Sequence, residues 1–534
     1  MHFTFTVYIG ILLVILFLVM LAGRLKISYP IVLVIGGLAM SFIPGLPQIS
    51  IDPELIFLIF LPPLLYEAAW QTSWKELWRW RRIVSSFAFL IVILTSGVIA
   101  IVSSSLIPGF TLALGFLLGG IISPPDAVAA TTVLKEVKVP KSLVNILEGE
   151  SLLNDASSLI IFRFALIAVT TGKFVFHEAV TSFLLVISMG ILIGVAIGMI
   201  FYAIHRWLPT NASMDTVLTF VAPYVMYITA ESMDFSGVLA VVAGGLFMSN
   251  KSHHFLSHLS RIRGVNVWST IGFVLNGIIF LLIGLELPVI VRQLGDVSLW
   301  SAVKYGLIIT FVVIVMRIMC TMGASLFTRL VSRYIRTADN NPGWRLPLVF
   351  GWAGMRGVVS LASALSIPLM LDKQHVFPMR DLILFITFMV ILITLVFQGL
   401  TLPLVVKWVN IGEDRFFMPE HEQEAIMRKK MASYGLALLN NKYGEEIAGN
   451  DLLRSLKARL EGDMTFAESY IASEEGDEEV SNKIARYKVV LMDLINEQRG
   501  ILRKMNKKDS IDEEIIRKHL AQLDLEEEYL VQRF

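Results

Sequence analysis

The sequence Glu150-Ser151-Leu152-Leu153-Asn154-Asp155 lies inside an otherwise apolar run that extends from about residue 144 to residue 170. A run of this length can cross a bilayer as a helix, because a crossing needs about 20 residues. Asp155 would then lie near the middle of the membrane, where an ionisable side chain costs roughly 3 kcal/mol or more. An acid at that depth marks a functional site by default, so we expect the rest of the chain to be arranged around it.

Composition favours a membrane protein with many crossings. The chain has 534 residues, of which 55% are hydrophobic and 17% charged, and its mean hydropathy is +0.69. An average soluble chain is about a quarter charged. Basic residues are scattered between apolar runs and form no stripe, which argues against nucleic acid as a partner. The single cysteine, Cys320, excludes an internal disulfide framework.

Hydrophobic runs predict an all-α membrane protein with about 13 transmembrane helices. Alternate loops are rich in Lys and Arg, as in the loop that holds Lys75, Arg79, Arg81 and Arg82, whereas the opposite loops hold few. The positive-inside rule then puts the N-terminus outside and the C-terminus in the cytoplasm of a multi-pass protein of the cell (plasma) membrane. The runs fall near residues 4–22, 27–43, 52–70, 84–106, 111–134, 144–170, 179–204, 214–230, 236–250, 266–287, 299–325, 347–371 and 382–408.

Charge density divides the chain into two domains. Residues 1–411 are apolar with sparse charges and form the predicted transmembrane domain, whereas residues 412–534 are charge-dense. Stretches of the second domain, such as 420–440 and 480–501, have helical periodicity and charged faces. We expect a helical cytoplasmic domain there, with a regulatory role.

Two of the predicted spans are interrupted. The fifth contains Ile122-Ser123-Pro124-Pro125-Asp126, and prolines at mid-depth remove backbone donors and clash with the preceding turn. The twelfth contains Gly351-Trp352-Ala353-Gly354-Met355-Arg356-Gly357, with three glycines and an arginine. Broken backbone is tolerated in a membrane only where protein or a water-filled cavity satisfies it. The two breaks predict inverted six-helix repeats, spans 1–6 and 8–13, whose broken crossing helices surround a binding site.

Several other charges fall within the predicted spans. Glu150 in the sixth span and Arg317 in the eleventh lie at similar depths. Because an unpaired buried charge is expensive, we expect Glu150 and Arg317 to form a structural ion pair, with Arg356 as the competing partner. Arg163, in the outer half of the sixth span, can snorkel to the surface or pair with Glu286 of the tenth.

Asp126 and Asp155 are left near mid-depth without an obvious cation of their own. Two carboxylates in one desolvated site rarely carry both negative charges at once, so such a site can exchange a proton for a small cation. These oxygens suit a monovalent alkali ion, and without His or Cys the set does not suit zinc or copper. The available oxygens belong to Asp155, Asp126, the Ser151 hydroxyl and the carbonyls freed by Pro124 and Pro125.

Two other classes of protein fit parts of this pattern. An intramembrane aspartyl protease would also use two acids, but such enzymes carry Tyr-Asp and Gly-x-Gly-Asp contexts that neither Asp126 nor Asp155 has. A cation channel would build its filter from rings of ligands, whereas these acids lie beside broken helices. A secondary transporter is therefore favoured, with no enzymatic activity and no cofactor beyond the transported ions. Glu67 either reaches the transport cavity or lies near the interface.

Four motifs resemble the signature of the monovalent cation:proton antiporter-1 family, the group of bacterial NhaP-type and animal sodium/proton exchangers. The resemblance covers residues 1 to about 410 and does not extend to the C-terminal domain. The motifs are Glu148-Gly149-Glu150-Ser151-Leu152-Leu153-Asn154-Asp155, Leu61-Pro62-Pro63-Leu64-Leu65-Tyr66-Glu67, Pro125-Asp126-Ala127-Val128-Ala129 and Gly354-Met355-Arg356-Gly357.

The resemblance implies a secondary active antiporter that serves pH and cation homeostasis. Such proteins exchange a monovalent alkali cation for H+ by alternating access, as a core domain moves against a dimerisation domain within a homodimer. The cation would be Na+, with Li+ or K+ as alternatives and K+/H+ exchange as the second candidate function. Asn154 stands where the electrogenic sister family has a second Asp, which implies electroneutral exchange of one cation for one proton.

The resemblance also implies roles for single residues. Asp155 would carry the ion and the proton, and Asp126, Ser151 and the Pro125 carbonyl would complete the Na+ site. Pro125 stands where several relatives carry Thr or another small polar residue, so only its carbonyl is expected to take part. Asn154 would hold the site in shape, and Glu67 would be an acid beside it. The remaining family residues would be the Glu150–Arg317 pair and Arg356 at the broken twelfth span.

Overall fold

The computed structural model describes residues 2–43, 58–134, 137, 139–172, 176–294, 297–331, 343–371, 375–411, 420–474, 478–505 and 512–533. These ranges are helical apart from short connections, and their only β feature is an isolated bridge between Met370 and Val376. The expectation of an all-helical fold is therefore confirmed. The chain separates into two compact units, Met1–Glu413 and Asp414–Phe534.

Two pairs of helices in the first unit are each joined by a short π-helical segment. Ser86–Ile91 joins α4 to α5, and Thr394–Gln398 joins α16 to α17. Such segments are rare and occur frequently at functional sites. The helices of this unit are α1 His2–Leu25, α2 Tyr29–Met40, α3 Leu61–Gln71, α4 Trp74–Ser85, α5 Val92–Leu106, α6 Leu112–Ile122, α7 Ala127–Leu134, α8 Lys141–Thr171, α9 Phe176–Trp207, α10 Ala212–Ser232, α11 Gly237–Phe255, α12 His258–Arg292, α13 Leu299–Val331, α14 Arg345–Trp352, α15 Val358–Leu365, α16 Arg380–Ile393 and α17 Gly399–Val409.

Seven helical segments of the described chain are long and apolar enough to cross a membrane. They are Trp74–Leu106, Leu112–Leu134, Lys141–Thr171, Val180–Trp207, His258–Arg292, Leu299–Leu330 and Arg380–Val409. They correspond to seven of the predicted runs.

The other six predicted runs differ from these seven for physical reasons. The first two form the shorter apolar helices Ile9–Leu25 and Tyr29–Met40. The third lies partly outside the described residues, which omit 44–57. The eighth and ninth, in α10 and α11, carry charged residues such as Asp215 and Lys251. The twelfth is divided into the eight-residue helices α14 and α15.

Buried apolar side chains of the first unit form two hydrophobic clusters. Cluster 1 includes Leu33 of α2, Leu117 of α6, Phe280 of α12 and Phe385 of α16. Cluster 2 includes Tyr66 of α3, Ile197 of α9, Met226 of α10 and Val241 of α11. Helix α8 contributes to both, with Leu143 and Leu147 in cluster 1 and Leu152 and Ala156 in cluster 2. The helix that carries Asp155 therefore lies along the boundary between the clusters.

The second unit is helical in its described ranges, α18 Glu420–Gly449, α19 Asp451–Glu474, α20 Glu478–Met505 and α21 Glu513–Arg533. Helix α18 is kinked at Tyr443, whose backbone leaves the helical region. Ile495, Leu523 and Leu530 form a small apolar cluster that holds α20 and α21 together. Salt bridges link neighbouring helices, including Lys429–Glu468 at 3.1 Å and Arg499–Asp524 at 2.6 Å.

Helices α2 and α12 approach each other through glycines. A Cβ atom on Gly37 would overlap the carbonyl oxygen of Leu281, and one on Gly284 would overlap that of Val34. Small residues at a helix interface allow this kind of close backbone approach in membranes. Because the obstructing atoms are backbone atoms, a larger residue at either position would push the two helices apart.

We expect Gly284→Ala to destabilise the protein by about 1–3 kcal/mol, the usual cost of overpacking a tight contact. The measurement is thermal unfolding of the purified protein in detergent. Gly97→Ala is the matched control, because nothing lies within 4 Å of a Cβ at that position. Equal unfolding temperatures for the two variants would contradict this account of the α2–α12 contact.

Candidate functional site

Two interrupted helices meet at the centre of the first unit. Helix α6 ends at Ile122 and α7 begins at Ala127, while α14 ends at Trp352 and α15 begins at Val358. The backbone N–H of Asp126, in the first break, donates to the carbonyl of Met355 in the second at 2.7 Å. Each break therefore satisfies part of the backbone that the other leaves unpaired.

Arg356 ties the two breaks together with its side chain. Its Nε donates to the carbonyl of Ile122 at 3.0 Å and its Nη2 to that of Ser123 at 3.5 Å, at the C-terminal end of α6. Nη1 donates to the carbonyl of Gly354 within its own break. A cation is favourable at a helix C-terminus, where carbonyl groups lack helical partners. Arg356 is therefore bound to broken backbone and not to Glu150, for which the sequence made it the competing partner.

Thr394 holds the backbone of the second break from a neighbouring helix. Its hydroxyl accepts a hydrogen bond from the backbone N–H of Arg356 at 3.1 Å and lies in the π-helical segment between α16 and α17. Thr394 could not be singled out from the sequence, because a threonine inside an apolar run gives no signal of its partner. The π-helical turn was equally invisible in the sequence.

Asp126 lies at the start of two half-helices. Its Oδ1 accepts a hydrogen bond from the N–H of Val128 at 2.8 Å, at the N-terminus of α7. A Cβ atom on Gly357, the residue before α15, would overlap Oδ2 of Asp126. A carboxylate is stabilised at a helix N-terminus by unpaired N–H groups. Among the described residues, Oδ2 has no hydrogen-bond partner, so one oxygen remains available to a ligand.

Helix α8 supplies polar side chains to the same place. The Ser151 hydroxyl accepts from the N–H of Ala127 at 3.2 Å, and Nδ2 of Asn154 donates to the Pro125 carbonyl at 3.2 Å. Asn154 is fully buried and Asp155 is 8% exposed. Serine and asparagine on successive turns of α8 thus hold the first break, and Asp155 follows directly.

Asp126 and Asp155 are close enough to interact electrostatically. No salt bridge to Asp126 or Asp155 occurs within the described part of the chain. The same part contains no group of three or more His, Cys, Asp or Glu that could hold a metal. What the site offers is two carboxylates together with hydroxyl and carbonyl oxygens, which are ligands for hard cations.

Glu67 extends from α3 toward α12. It accepts a hydrogen bond from Nε2 of Gln71 at 3.1 Å and lies against Gly272 of α12, where a Cβ would overlap its carboxylate. Tyr29 of α2 lies near Thr132 of α7 and is close enough to Asp126 and Glu67 to interact electrostatically with both. Nothing in the sequence distinguishes Tyr29 from the other residues of its apolar helix.

Glu150 and Arg317 form a buried bidentate pair. Nη1 and Nη2 of Arg317 donate to the two carboxylate oxygens of Glu150, each at 2.7 Å. The Arg317 guanidinium also lies over the ring of Phe350 at 5.3 Å. A Cβ on Gly354 would overlap the Arg317 side chain, which explains the glycine there. The pair that the sequence favoured is the one present.

Arg163 pairs with Glu231 and not with Glu286. Its Nη2 lies 2.9 Å from Oε2 of Glu231, near the end of α10, and its Nη1 donates to the carbonyl of Asp234 at 3.3 Å. Of the two arrangements that the sequence left open for Arg163, pairing with Glu286 is therefore wrong. Glu231 lies one residue beyond the predicted eighth span, so hydropathy did not mark it as a charge within a span.

An all-helical membrane-spanning fold with a polar site between broken helices defines a membrane transporter. The family model described as sodium/hydrogen exchanger, transmembrane, matches residues 11–408. The chain belongs to this family of sodium/proton antiporters, as the sequence motifs indicated. It is therefore a multi-pass ion transporter and not an enzyme, so the protease alternative is wrong.

Individual relatives agree with this assignment. The chain is 33% identical over 416 residues to a sodium, potassium, lithium and rubidium/H+ antiporter of Bacillus pumilus, a match that covers 75% of this chain and 61% of the relative. It is 34% identical over 398 residues to the low-affinity Na+/H+ antiporter NhaS1 of Synechocystis, covering 73% of this chain and 71% of that protein.

A solved structure supports the fold. The sodium proton antiporter MjNhaP1 from Methanocaldococcus jannaschii superimposes with a TM-score of 0.60 at 19% identity. The match covers 75% of this chain and all of MjNhaP1.

We expect Glu150→Gln and Arg317→Met each to destabilise the protein by roughly 3–5 kcal/mol, because each leaves one buried charge unpaired. The double variant should lose less than the sum of the two, since no charge then remains uncompensated. Thermal unfolding in detergent measures all three, with Asp155→Asn as the control that breaks no described salt bridge. Additive losses would mean that the pair contributes little as a pair.

Proposed function

We propose that this chain exchanges Na+ for H+ by alternating access, with Asp155 as the side chain that holds each ion in turn. One observation carries the proposal: Asp155 is buried beside Asp126, and within the described residues neither acid has a salt-bridge partner. Two acids buried together need a compensating positive charge. In the proposed cycle this charge is an alkali ion in one half and a proton in the other.

The proposed Na+ ligands are Asp155, Asp126, Ser151 and the carbonyl of Pro125. The Ser151 hydroxyl and the Pro125 carbonyl each accept one hydrogen bond and retain a lone pair. Oδ2 of Asp126 is buried without a hydrogen-bond partner in the described part of the structure. Asn154 positions the Pro125 carbonyl, and Glu67 is an acid beside the site.

The proposed stoichiometry is one cation for one proton. Asn154, next to Asp155, is neutral, so the proposed site holds two acids, Asp126 and Asp155, and not three. Exchange of equal charges avoids the electrical work of roughly 2.3 kcal/mol per charge per 100 mV.

We further propose the finer architecture that the sequence predicts. Inverted repeats are supported by the two breaks and by the similar way in which a neighbouring helix contacts each of them. Asn154 of α8 donates to the Pro125 carbonyl in the first break. Thr394, between α16 and α17, accepts from the Arg356 N–H in the second. The boundary between clusters 1 and 2 along α8 suits an elevator-like movement of a core domain.

Several further features of the proposal come from the sequence and its resemblance. They are about 13 spans, an outside N-terminus, a cytoplasmic regulatory domain after residue 411, a homodimer and a plasma membrane location. The pattern of basic loops supports the orientation. The cellular role that fits is pH and cation homeostasis.

Na+ is the first of the proposed transported cations, because the family and the Synechocystis relative are named for sodium. The Bacillus relative is named for K+, Li+ and Rb+ as well, so Li+ and K+ belong in the same assay. A cation channel would need a ring of ligands around a pore, and the acids lie between broken helices.

We expect Na+ to collapse an imposed pH gradient in vesicles that contain the protein, and Asp155→Asn to abolish this response. The apparent KM for Na+ should rise as the pH falls, because protons compete for the same site, while the maximal rate stays unchanged. The assay uses a pH-sensitive dye with Na+, Li+ and K+ in turn. Asp381→Asn, at the start of α16, is the matched control. Full activity of Asp155→Asn would refute the assigned site.

We expect the exchange rate to be independent of a membrane potential imposed by a potassium gradient and an ionophore, measured with Na+ as the transported cation. The reason is that no net charge crosses the membrane in a one-for-one exchange. A rate that changes with the sign of the potential would show unequal numbers of ions and protons.

A further inference from the structure

Helix α8 carries two arginine–glutamate contacts that differ in burial. The side chains of Arg317 and Glu150 are 2% and 1% exposed, whereas those of Arg163 and Glu231 are 44% and 34% exposed. Glu150 and Arg163 are separated by about 20 Å along α8 and lie roughly 140° apart around it. One contact therefore joins α8 to α13 and the other joins a different face of α8 to α10.

The acceptor site for Arg163 is held in place without Arg163. Oε1 of Glu231 accepts a hydrogen bond from the N–H of Gly237 at 2.9 Å, at the start of α11, which leaves Oε2 for the arginine. Asp234, whose carbonyl is the second acceptor, lies in a turn with φ of 62° closed by its N–H bond to the Glu231 carbonyl at 3.0 Å. Both acceptors belong to the α10–α11 turn, so α8 contributes only the arginine.

The difference in burial gives the two contacts different lifetimes. Separating Glu150 from Arg317 would leave a charge in an apolar interior, so that pair stays intact. Glu231 follows the predicted outer end of the eighth span, and the long Arg163 side chain can snorkel to the same surface, so each can reach water when they separate. Ion pairs that open to water contribute little to stability. The Arg163 contact can therefore break and re-form without unfolding.

The position of the exposed pair connects it with the transport site. Arg163 follows Asp155 by eight residues, which is about 12 Å along α8 toward the predicted outer surface. Its partner Glu231 extends from α10, whose residues Met226 and Ala230 belong to cluster 2. The contact thus spans the boundary along which the two hydrophobic clusters meet.

We propose that Arg163, docked on Glu231 and the Asp234 carbonyl, is a latch that closes the outer side of the ion pathway in the conformation described. The proposal rests on the proposed function, because it assumes that α8 moves relative to α10 and α11 during transport. When α8 shifts, Arg163 leaves a preformed acceptor site and the outer path to Asp155 opens. The latch sets how often the site faces each side of the membrane.

The latch is tested by the apparent KM for Na+ at each face of oriented vesicles. Arg163→Ala should lower the KM at the outer face and raise it at the inner face, each by up to about fivefold, the factor that corresponds to an exposed ion pair. Glu231→Gln, which can still accept from Gly237, should move both values in the same directions by less. Arg292→Ala, an exposed arginine at the end of α12, is the matched control and should change neither value.

A double-variant cycle separates the latch from a purely structural role. The double variant Arg163→Ala/Glu231→Gln should shift both KM values no further than Arg163→Ala alone, because the contact is then already absent, whereas Arg163→Glu should shift them further than Arg163→Ala. A loss of maximal rate with unchanged KM at both faces would overturn the latch, as would shifts of Arg163→Ala and Glu231→Gln that add in the double variant. If Arg163→Ala is produced poorly, Glu231→Gln serves as the test variant, because it weakens the same contact from the other side and should shift both KM values in the same directions.

The outcomes for the latch and for the proposed function are distinguishable. Absence of cation-driven proton movement in wild-type vesicles would refute the exchange itself. Normal exchange in the wild type, with identical KM values at both faces for Arg163→Ala and Arg292→Ala, would refute the latch and leave the exchange intact.

Discussion

Interrupted backbone in the middle of a membrane is the constraint on which the rest of this structure depends. Hydrocarbon cannot satisfy free N–H and C=O groups, so each break needs polar partners from the protein itself. The two breaks provide some of them for each other, through the Asp126 N–H and the Met355 carbonyl. Arg356, Asn154 and Thr394 provide more. Polar side chains are therefore gathered at the two breaks, the first of which contains Asp126.

Features that leave a local signal, such as a pair of prolines or a charge inside an apolar run, could be predicted from the sequence. Pro124 and Pro125 predict the first break, because a proline in a helix lacks the backbone N–H that would donate to the preceding turn. The pairing of Glu150 with Arg317 followed from comparing depths in two spans. Family motifs then gave the class of transporter, and the comparison with known proteins agrees with it.

Features whose residues carry no such local signal could not be predicted in this way. Thr394 and Tyr29 are ordinary residues in apolar surroundings, and only the fold brings them to Arg356 and Asp126. Glu231 lies one residue beyond a predicted span, and such boundaries are uncertain by several residues. The π-helical segment at Thr394 leaves no periodic signature.

The two contacts on α8 also illustrate why the number of ion pairs says little about a transporter. The Glu150–Arg317 pair, which holds two helices together, is buried and bidentate, and its guanidinium lies over the ring of Phe350. The Arg163–Glu231 contact, which opens in the proposed latch, is exposed. Its acceptor Glu231 is held in place by the N–H of Gly237 and not by Arg163. Burial, and not distance, distinguishes them, since both have N–O separations below 3 Å.

Arg356 has an electrical consequence in addition to its hydrogen bonds to the ends of α6. With Glu150 and Arg317 cancelling each other, the ionised Asp126 and Asp155 together with Arg356 sum to one negative charge at the crossing. In the proposed exchange, one bound Na+ or one bound proton would make the sum zero, whereas an empty site would keep its charge and meet a large dielectric barrier on crossing the bilayer. In that cycle the Arg356 guanidinium would also suppress slippage, because only an occupied carrier could return.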